Sequence, residues 1–380
     1  MSRGVIAVPV FILVALSILF FSHYFIYFSL THFFGIVAPN RRMTLAIALF
    51  LLPVSVIASS LIAHRVDNFL SRTFYFVTTL WLGVGLTLLT AFVVTWLLWG
   101  ATKLFADSPR PTWFGVAALA VTSVYCAYGI WNAYHPRVKN LTVHIQNLPP
   151  AWQGKKIMHL SDVHLGVILG KAFLARLVSQ ANAANASAVF ITGDLFDGTD
   201  GPLGDLVSPL NDLHAPQGIF FVTGNHETYL GVERACAALS TTPVRALNDE
   251  SVTIDGLRVI GIGYPERGHS KDFAQIIAQL ATSGPRLPSI LLYHSPTHIT
   301  EAKAVGINLQ LAGHVHRGQI FPLQWITRLI YGKYYYGLHV EGGYNLYATS
   351  GAGTWGPTLR TGNHPEIIVI QLESSPSPES

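Results

Sequence analysis

The sequence predicts an N-terminal all-α transmembrane domain of four helices followed by a C-terminal α/β domain. Three observations predict it. Only 12% of the 380 residues are Asp, Glu, Lys or Arg, against about 25% in an ordinary soluble chain. Four uncharged runs of membrane-spanning length crowd into the first 140 residues. From about Leu141 the apolar runs shrink to strand length and alternate with helical patterns.

The uncharged runs are Val5 to Phe21 (continuing past His23 to Leu30), Thr44 to Ala63, Phe74 to Thr102 and Thr112 to Tyr134. Each reaches the roughly 20 apolar residues that cross a bilayer. Helices buried in a soluble core keep a polar stripe, and these runs carry no charged one. Trp96, Trp99, Trp113 and Trp131 lie near span ends, where aromatic belts sit, while Trp81 lies further in. A cleavable signal peptide fits less well, because the first stretch is too long and three more spans follow. Arg41-Arg42 reads as a basic loop between spans rather than a twin-arginine signal. With four spans, Arg3, Arg65, Arg72, Arg137, Lys139, Lys155 and Lys156 share one side, and Arg41, Arg42, Lys103 and Arg110 the other. The excess of cations places the C-terminal domain on the cytoplasmic side of the inner or plasma membrane. No run contains an intramembrane charge, so an ion pathway, and with it a transporter or channel, is not expected.

The net charge of +4 divides unevenly. Residues 1–140 hold nine Lys/Arg and two Asp/Glu, a balance of +7; residues 141–380 hold 15 and 18, a balance of −3. The basic character belongs to loops beside lipid headgroups. The C-terminal domain has no basic stripe, so nucleic acid is not an expected partner. Cys126 and Cys236 cannot make a disulfide framework or a thiolate zinc site. The expected organisation is a four-helix transmembrane domain over 1–140, a catalytic domain over 141–373 and a disordered tail over 374–380, whose Ser, Pro and Glu have nothing to bury.

In the second domain, Lys156–Leu160, Ala188–Thr192, Gly218–Thr223, Leu257–Ile262, Ser289–Tyr293 and Asn308–Ala312 read as buried strands. Lys171 to Ala184 and Asp272 to Ala281 show helical apolar spacing. Such alternation implies a layered α/β fold. Five strands run straight into polar residues: Asp162-Val-His164, Gly193-Asp194-Leu-Phe-Asp197, Gly224-Asn225-His226-Glu227, His294, and Gly313-His314-Val-His316. Open α/β sheets bind ligands beyond the carboxyl ends of their strands. A lone histidine is usually a packed or surface residue, but five such motifs at five strand ends form one crevice of imidazoles and oxygens.

That donor set, with no thiolate, suits divalent Mn, Fe or Zn. Nine of these groups, Glu227 left aside, exceed the needs of one ion, and two ions about 3.5–4 Å apart would use them. Two cations lower the pKa of a shared water and neutralise phosphate charge, so phosphoester hydrolysis is the chemistry this set suits best.

The ordered series Asp-x-His, Gly-Asp-x-x-Asp, Gly-Asn-His-Glu, His and Gly-His-x-His resembles the calcineurin-like metallophosphoesterases. The likeness covers roughly residues 141–373. Leu160-Ser-Asp-Val-His-Leu-Gly166, Leu311-Ala-Gly-His-Val-His-Arg-Gly-Gln319, Ser350-Gly-Ala-Gly-Thr354 and Pro365-Glu-Ile367 look like its membrane-associated bacterial subgroup. Some proteins similar to that subgroup cleave the pyrophosphate of a UDP-linked diacylglucosamine. The resemblance implies a two-sheet β-sandwich flanked by helices. It implies that Asp162, His164 and His316 hold one metal, that Asn225, His294 and His314 hold a second, and that Asp194 bridges them. It implies that His226, oriented by Asp197, protonates the leaving oxygen.

Other residues receive plainer readings. His159 is packed inside a strand, His298 starts a helix, and Gly362-Asn363-His364 is a loop near the site at most. Arg317 and Arg360 are candidate substrate-phosphate clamps. The segment Gln319 to Gly337 mixes aromatics, aliphatics, Arg328 and Lys333, a composition suited to a bilayer interface and the admission of a lipid-linked phosphoester. The leading expectation is a membrane-anchored phosphoesterase using two divalent ions on a lipid-linked or envelope substrate. The alternatives are a nucleotide or general phosphodiesterase, a protein phosphatase, or a non-catalytic metal-binding scaffold.

Overall fold

The computed structural model describes residues 3–63, 65–66, 68–104, 110–198, 202–266 and 268–375. The chain divides into two compact units, one made of 1–131 with 356–361, the other of 132–355 with the chain from Gly362 onward.

The first unit holds α1 (Arg3–Phe33), α2 (Pro39–Ala63), α3 (Phe69–Thr102) and α4 (Pro111–Ala133). All four are long and apolar enough to cross a membrane. Their apolar side chains are largely exposed, as lipid-facing surfaces must be. The polar residues lie where helices meet. Ser59 and Thr78 share a hydroxyl hydrogen bond of 2.5 Å between α2 and α3. Trp81 Nε1 donates to His23 Nε2 at 2.9 Å, and Trp96 Nε1 to Ser29 Oγ at 2.9 Å, tying α3 to α1. In hydrocarbon such polar pairs hold helices together where the hydrophobic effect cannot. The segment 356–361 belongs to this unit. Tyr125 donates to Thr361 O at 2.6 Å, and a Cβ on Gly129 would stand 2.8 Å from Leu359 Cδ1, so only glycine admits that side chain against α4.

The second unit is a sandwich of two six-stranded mixed sheets. Its strands are β1 (Arg137–Ile145), β2 (Lys156–Leu160), β3 (Ala188–Thr192), β4 (Ile219–Val222), β5 (Val244–Ala246), β6 (Glu250–Ile254), β7 (Leu257–Ile262), β8 (Ser289–Tyr293), β9 (Leu309–Ala312), β10 (Gly337–Glu341), β11 (Tyr344–Ala348) and β12 (Glu366–Ser374). One sheet has the order β1-β12-β2-β3-β4-β5 and the other β10-β11-β9-β8-β7-β6. The helices are α5 (Lys171–Ala183), α6 (Leu203–Val207), α7 (Asn225–Leu230), α8 (Val232–Leu239), α9 (Phe273–Thr282), α10 (Ile299–Ala304) and α11 (Gln324–Tyr331).

Strand alternation builds the layers. Phe190, Val259, Leu292 and Leu311 point between the sheets. Val189 and Ile191 face outward against Phe173 and Leu177 of α5. Ile260 and Leu291 face outward against Phe273 and Ile277 of α9. These strands are therefore apolar on both faces, the pattern from which they are legible. Arg258 is the exception in β7. It is buried, and its guanidinium donates to Ala281 O, to Ser283 O at 2.7 Å and to Pro285 O at 3.0 Å, satisfying carbonyls at and beyond the end of α9.

The ends of this unit differ from expectation. β1 begins at Arg137, ahead of the expected boundary at 141, and pairs in parallel with β12 along its whole length. β12 runs through Ser374 and Ser375 N donates to Ile145 O at 3.0 Å, so the expected tail is ordered at its first two residues. The rest of that tail, 376–380, lies outside the described residues.

Candidate metal centre

Five strands of the two sheets end at one place. β2 delivers Asp162 and His164, β3 delivers Asp194 and Asp197, and β4 delivers Asn225 and His226 at the start of α7. From the second sheet β8 delivers His294 and β9 delivers His314 and His316. The loops are laced together: Asp162 N donates to Gly193 O at 3.1 Å, His164 N to Asp194 O at 3.0 Å and Gly313 N to His294 O at 2.8 Å. Asp162, His164, Asp194, His314 and His316 all have positive φ, between 45° and 73°. Left-handed backbone at non-glycine residues costs on the order of 1–3 kcal/mol each and persists only where surroundings enforce it. Gly313 lets the loops close, because a Cβ there would overlap the Asp162 carboxylate.

Two foci result. Ligand atoms of Asp162, His164 and His316 lie within 4.8 Å of one another, and so do those of Asp194, His294 and His314. All six are largely buried. His164 Nδ1 faces Asp197 Oδ1 at 3.2 Å, which leaves its Nε2 3.0 Å from His316 Nε2. His294 Nδ1 donates to Thr192 O at 2.7 Å, so its Nε2 is the nitrogen turned into the centre. That nitrogen stands 3.1 Å from Asp194 Oδ2, 3.2 Å from Asn225 Oδ1 and 3.2 Å from His314 Nδ1. Acceptor atoms converge at both foci, an arrangement a cation at each would satisfy. The electrostatics agree. Burial disfavours charge on His294, but the Asp194 carboxylate outweighs it and pushes the imidazole up to about 9. Burial, and then the charge of His294, holds His314 down to about 3. The pocket favours positive charge between Asp194 and His294. With imidazole and carboxylate donors and no thiolate, the residues fit divalent Mn, Fe or Zn.

Asp194 joins the foci. Its Oδ1 accepts from His226 N at 2.9 Å, while Oδ2 alone faces His294 Nε2 at 3.1 Å and His164 Nε2 at 3.9 Å. His226 lies edge-on to His164 with ring centroids 4.6 Å apart, and its ligand atoms group with those of His164 and Asp194. Burial first, and His164 second, keep its pKa below the ordinary value. Tyr229 and Trp355 flank the His226 ring at 5.4 and 6.4 Å.

Asp197 works differently from expectation. Its backbone carbonyl accepts from His226 Nδ1 at 3.0 Å, whereas its carboxylate is 3.9 Å away and turned to His164. Asp197 thus fixes the tautomers of both histidines, one through its main chain and one through its side chain. Asp197→Asn is expected to weaken Mn binding about 10–100-fold, the usual cost of losing a ligand's outer partner, while turnover at saturating Mn changes little. Mn titration of turnover measures both quantities.

Glu227, quoted in its motif but given no role above, proves structural. Its buried carboxylate accepts from Asp194 N at 2.9 Å, Phe196 N at 3.0 Å and Gly224 N at 2.7 Å. Burial and then Asp194 push its carboxyl up to about 7, against the pull of those amides. The glutamate three residues after Gly224 is a helix-capping pattern legible in sequence. Glu227→Gln would turn a donor toward donors, and is expected to cost about 1–3 kcal/mol of stability, read as a lower denaturation midpoint. Asn363 also does more than expected. Its Nδ2 donates to His316 O at 2.9 Å and to Arg317 O at 3.1 Å, clamping the last ligand loop. The two candidate arginines fall in different units. Arg317 lies over the Tyr336 ring, 4.1 Å from its centroid. Arg360 is buried in the segment grouped with the helical unit, where its amide donates to Gly129 O at 3.0 Å.

A family profile described as calcineurin-like phosphoesterase matches residues 155–318. An uncharacterised metallophosphoesterase of Campylobacter jejuni is 36% identical over 264 residues, 67% of this chain and 69% of the relative. A transmembrane protein with a metallophosphoesterase domain from Danio rerio is 32% identical over 280 residues, 68% of this chain and 63% of the relative. The match therefore spans about two thirds of these relatives' length. A solved dimetal phosphatase from Danio rerio covers 58% of this chain and 93% of its own at 12% identity, with a TM-score of 0.39, too remote to carry over its metals or its substrate.

Proposed function

The chain belongs to the calcineurin-like metallophosphoesterase family, and from that premise we propose a membrane-anchored hydrolase that uses two divalent ions. It cleaves a phosphoester or pyrophosphate bond of a lipid-linked or envelope substrate, such as a UDP-diacylglucosamine-like molecule. The observation that carries the reading is Asp194 Oδ2, one oxygen facing His294 of one focus and His164 of the other.

In this reading Asp162, His164 and His316 would hold the first ion and Asn225, His294 and His314 the second, with Asp194 available to both. Bound there, divalent ions would supply Lewis acidity, neutralising phosphoryl charge and lowering the pKa of a water. The chain's own residues do the rest. Thr192 O and the Asp197 carboxylate engage the Nδ1 atoms of His294 and His164 and so turn each Nε2 toward the place an ion would take. His226, its Nδ1 donating to Asp197 O, presents Nε2, and its imidazolium form gives the Nε2 proton to the leaving oxygen. Arg317 remains a candidate phosphate contact.

The test is turnover by the purified full chain in lipid nanodiscs with Mn, on a chromogenic phosphodiester and a monoester, with and without chelator. The proposal expects Mn-dependent hydrolysis that the chelator abolishes. Turnover indifferent to metal, or none on any phosphoester, overturns it.

A further inference from the structure

Helix α11 is built inside out. Its inward positions are Gln324, Thr327 and Tyr331, spaced three and four apart so that they fall on one face. That face is polar: Thr327 bonds back to Gln324 O at 3.1 Å, and the Tyr331 ring stands 6.2 Å from that of His314 in the metal centre. The outward face is apolar. Trp325 is 64% exposed, Ile326 53%, Leu329 85% and Ile330 67%, with Arg328 exposed among them. A water-facing helix has the opposite pattern. An outward face of Trp, Leu and Ile carrying an arginine is the pattern of helices that lie in a membrane interface, where the cation meets anionic headgroups.

We propose that α11 seats its outer face in the headgroup region of the bilayer, so that the metal centre beside Tyr331 takes phosphoesters presented by a lipid surface. A partner protein could also cover such a face, but the chain's connectivity favours lipid. The membrane-length α4 ends at Ala133 and β1 begins at Arg137. The three residues between them make four chain steps that reach at most about 14 Å when extended, so this unit is tethered close to the end of α4. The consequence for substrate rests on the hydrolase reading; the seating of α11 does not.

Two measurements test it on the full chain in nanodiscs containing anionic lipid. The first places a nitroxide at Leu329→Cys, with Cys126 and Cys236 replaced by Ala, and compares collisions with lipid-soluble oxygen and a water-soluble nickel chelate. The reference label is at Glu233→Cys, an exposed position on α8. The proposal expects oxygen to dominate at 329 by threefold or more, and nickel to dominate at 233. Equal nickel access at both sites overturns it, and so does exclusion of both reagents from 329, the signature of a protein cover. The second measures the double variant Trp325→Ser with Leu329→Ser. Its turnover of a soluble chromogenic diester is expected to stay within twofold, while kcat/KM on a phosphoester lipid in vesicles falls tenfold or more. Equal losses on both substrates overturn the role in access. The nitroxide result needs no turnover, so failure of the hydrolase reading leaves it intact and distinguishable.

Discussion

Asp194→Asn is expected to lower metal-dependent turnover about a thousandfold, roughly 4 kcal/mol of barrier, and to strip metal from the purified protein. The reasoning is local. One carboxylate oxygen accepts the His226 amide at 2.9 Å and the other faces both foci. An asparagine can keep only one of these contacts. If its oxygen stays with the His226 amide, its NH2 takes the place of the oxygen that faces His294 and His164 and points into the positions a cation would take. The substitution removes charge from the place where the pocket most favours a cation. Elemental analysis and turnover must fall together. A variant that keeps both metals and wild-type turnover would show that Asp194 does not join the two foci.

His226→Ala is expected to act on chemistry alone. Its metal content should match wild type, while turnover falls about 10²–10⁴-fold, the usual contribution of a positioned general acid. The leaving group decides whether protonation is the cause. Nitrophenolate departs readily without a proton, whereas an alkoxide does not. The loss should therefore be at least tenfold larger for an alkyl ester than for a nitrophenyl ester. Equal losses on both would move His226 from proton donation to positioning or to metal binding.

Much of this was legible in the sequence, for a physical reason. β2, β3 and β8 carry their predicted limits because each is a largely apolar run that ends abruptly in polar residues, and β7 carries its own between Gly256 and Gly263. The same strand ends announced the seven metal-ligand candidates, since both sheets deliver their carboxyl ends to one edge. Less visible was whatever depends on neighbours distant in sequence. β1 alternates polar and apolar residues as a sheet edge does, and its partner β12 lies more than 200 residues later. The expected helix over 272–281 appears as α9, whose end is satisfied by Arg258 from a strand, a contact no local pattern encodes. In the centre, residue types foretold which side chains meet but not which atoms. Asp197 turns its carboxylate to His164 and offers His226 its main chain. Asn363 looked like a stray repeat of a motif, yet it holds the backbone of His316.

The most direct measurement of the central claim is metal stoichiometry joined to activity. The full-length protein is loaded with Mn, freed of excess, and analysed for bound ions per chain while turnover of a phosphodiester is followed over the same titration. The account predicts two ions per chain, with turnover rising only as the second binds, and a loss of both behaviours in Asp194→Asn. A single ion per chain supporting full turnover, or turnover that survives complete removal of metal, would contradict it.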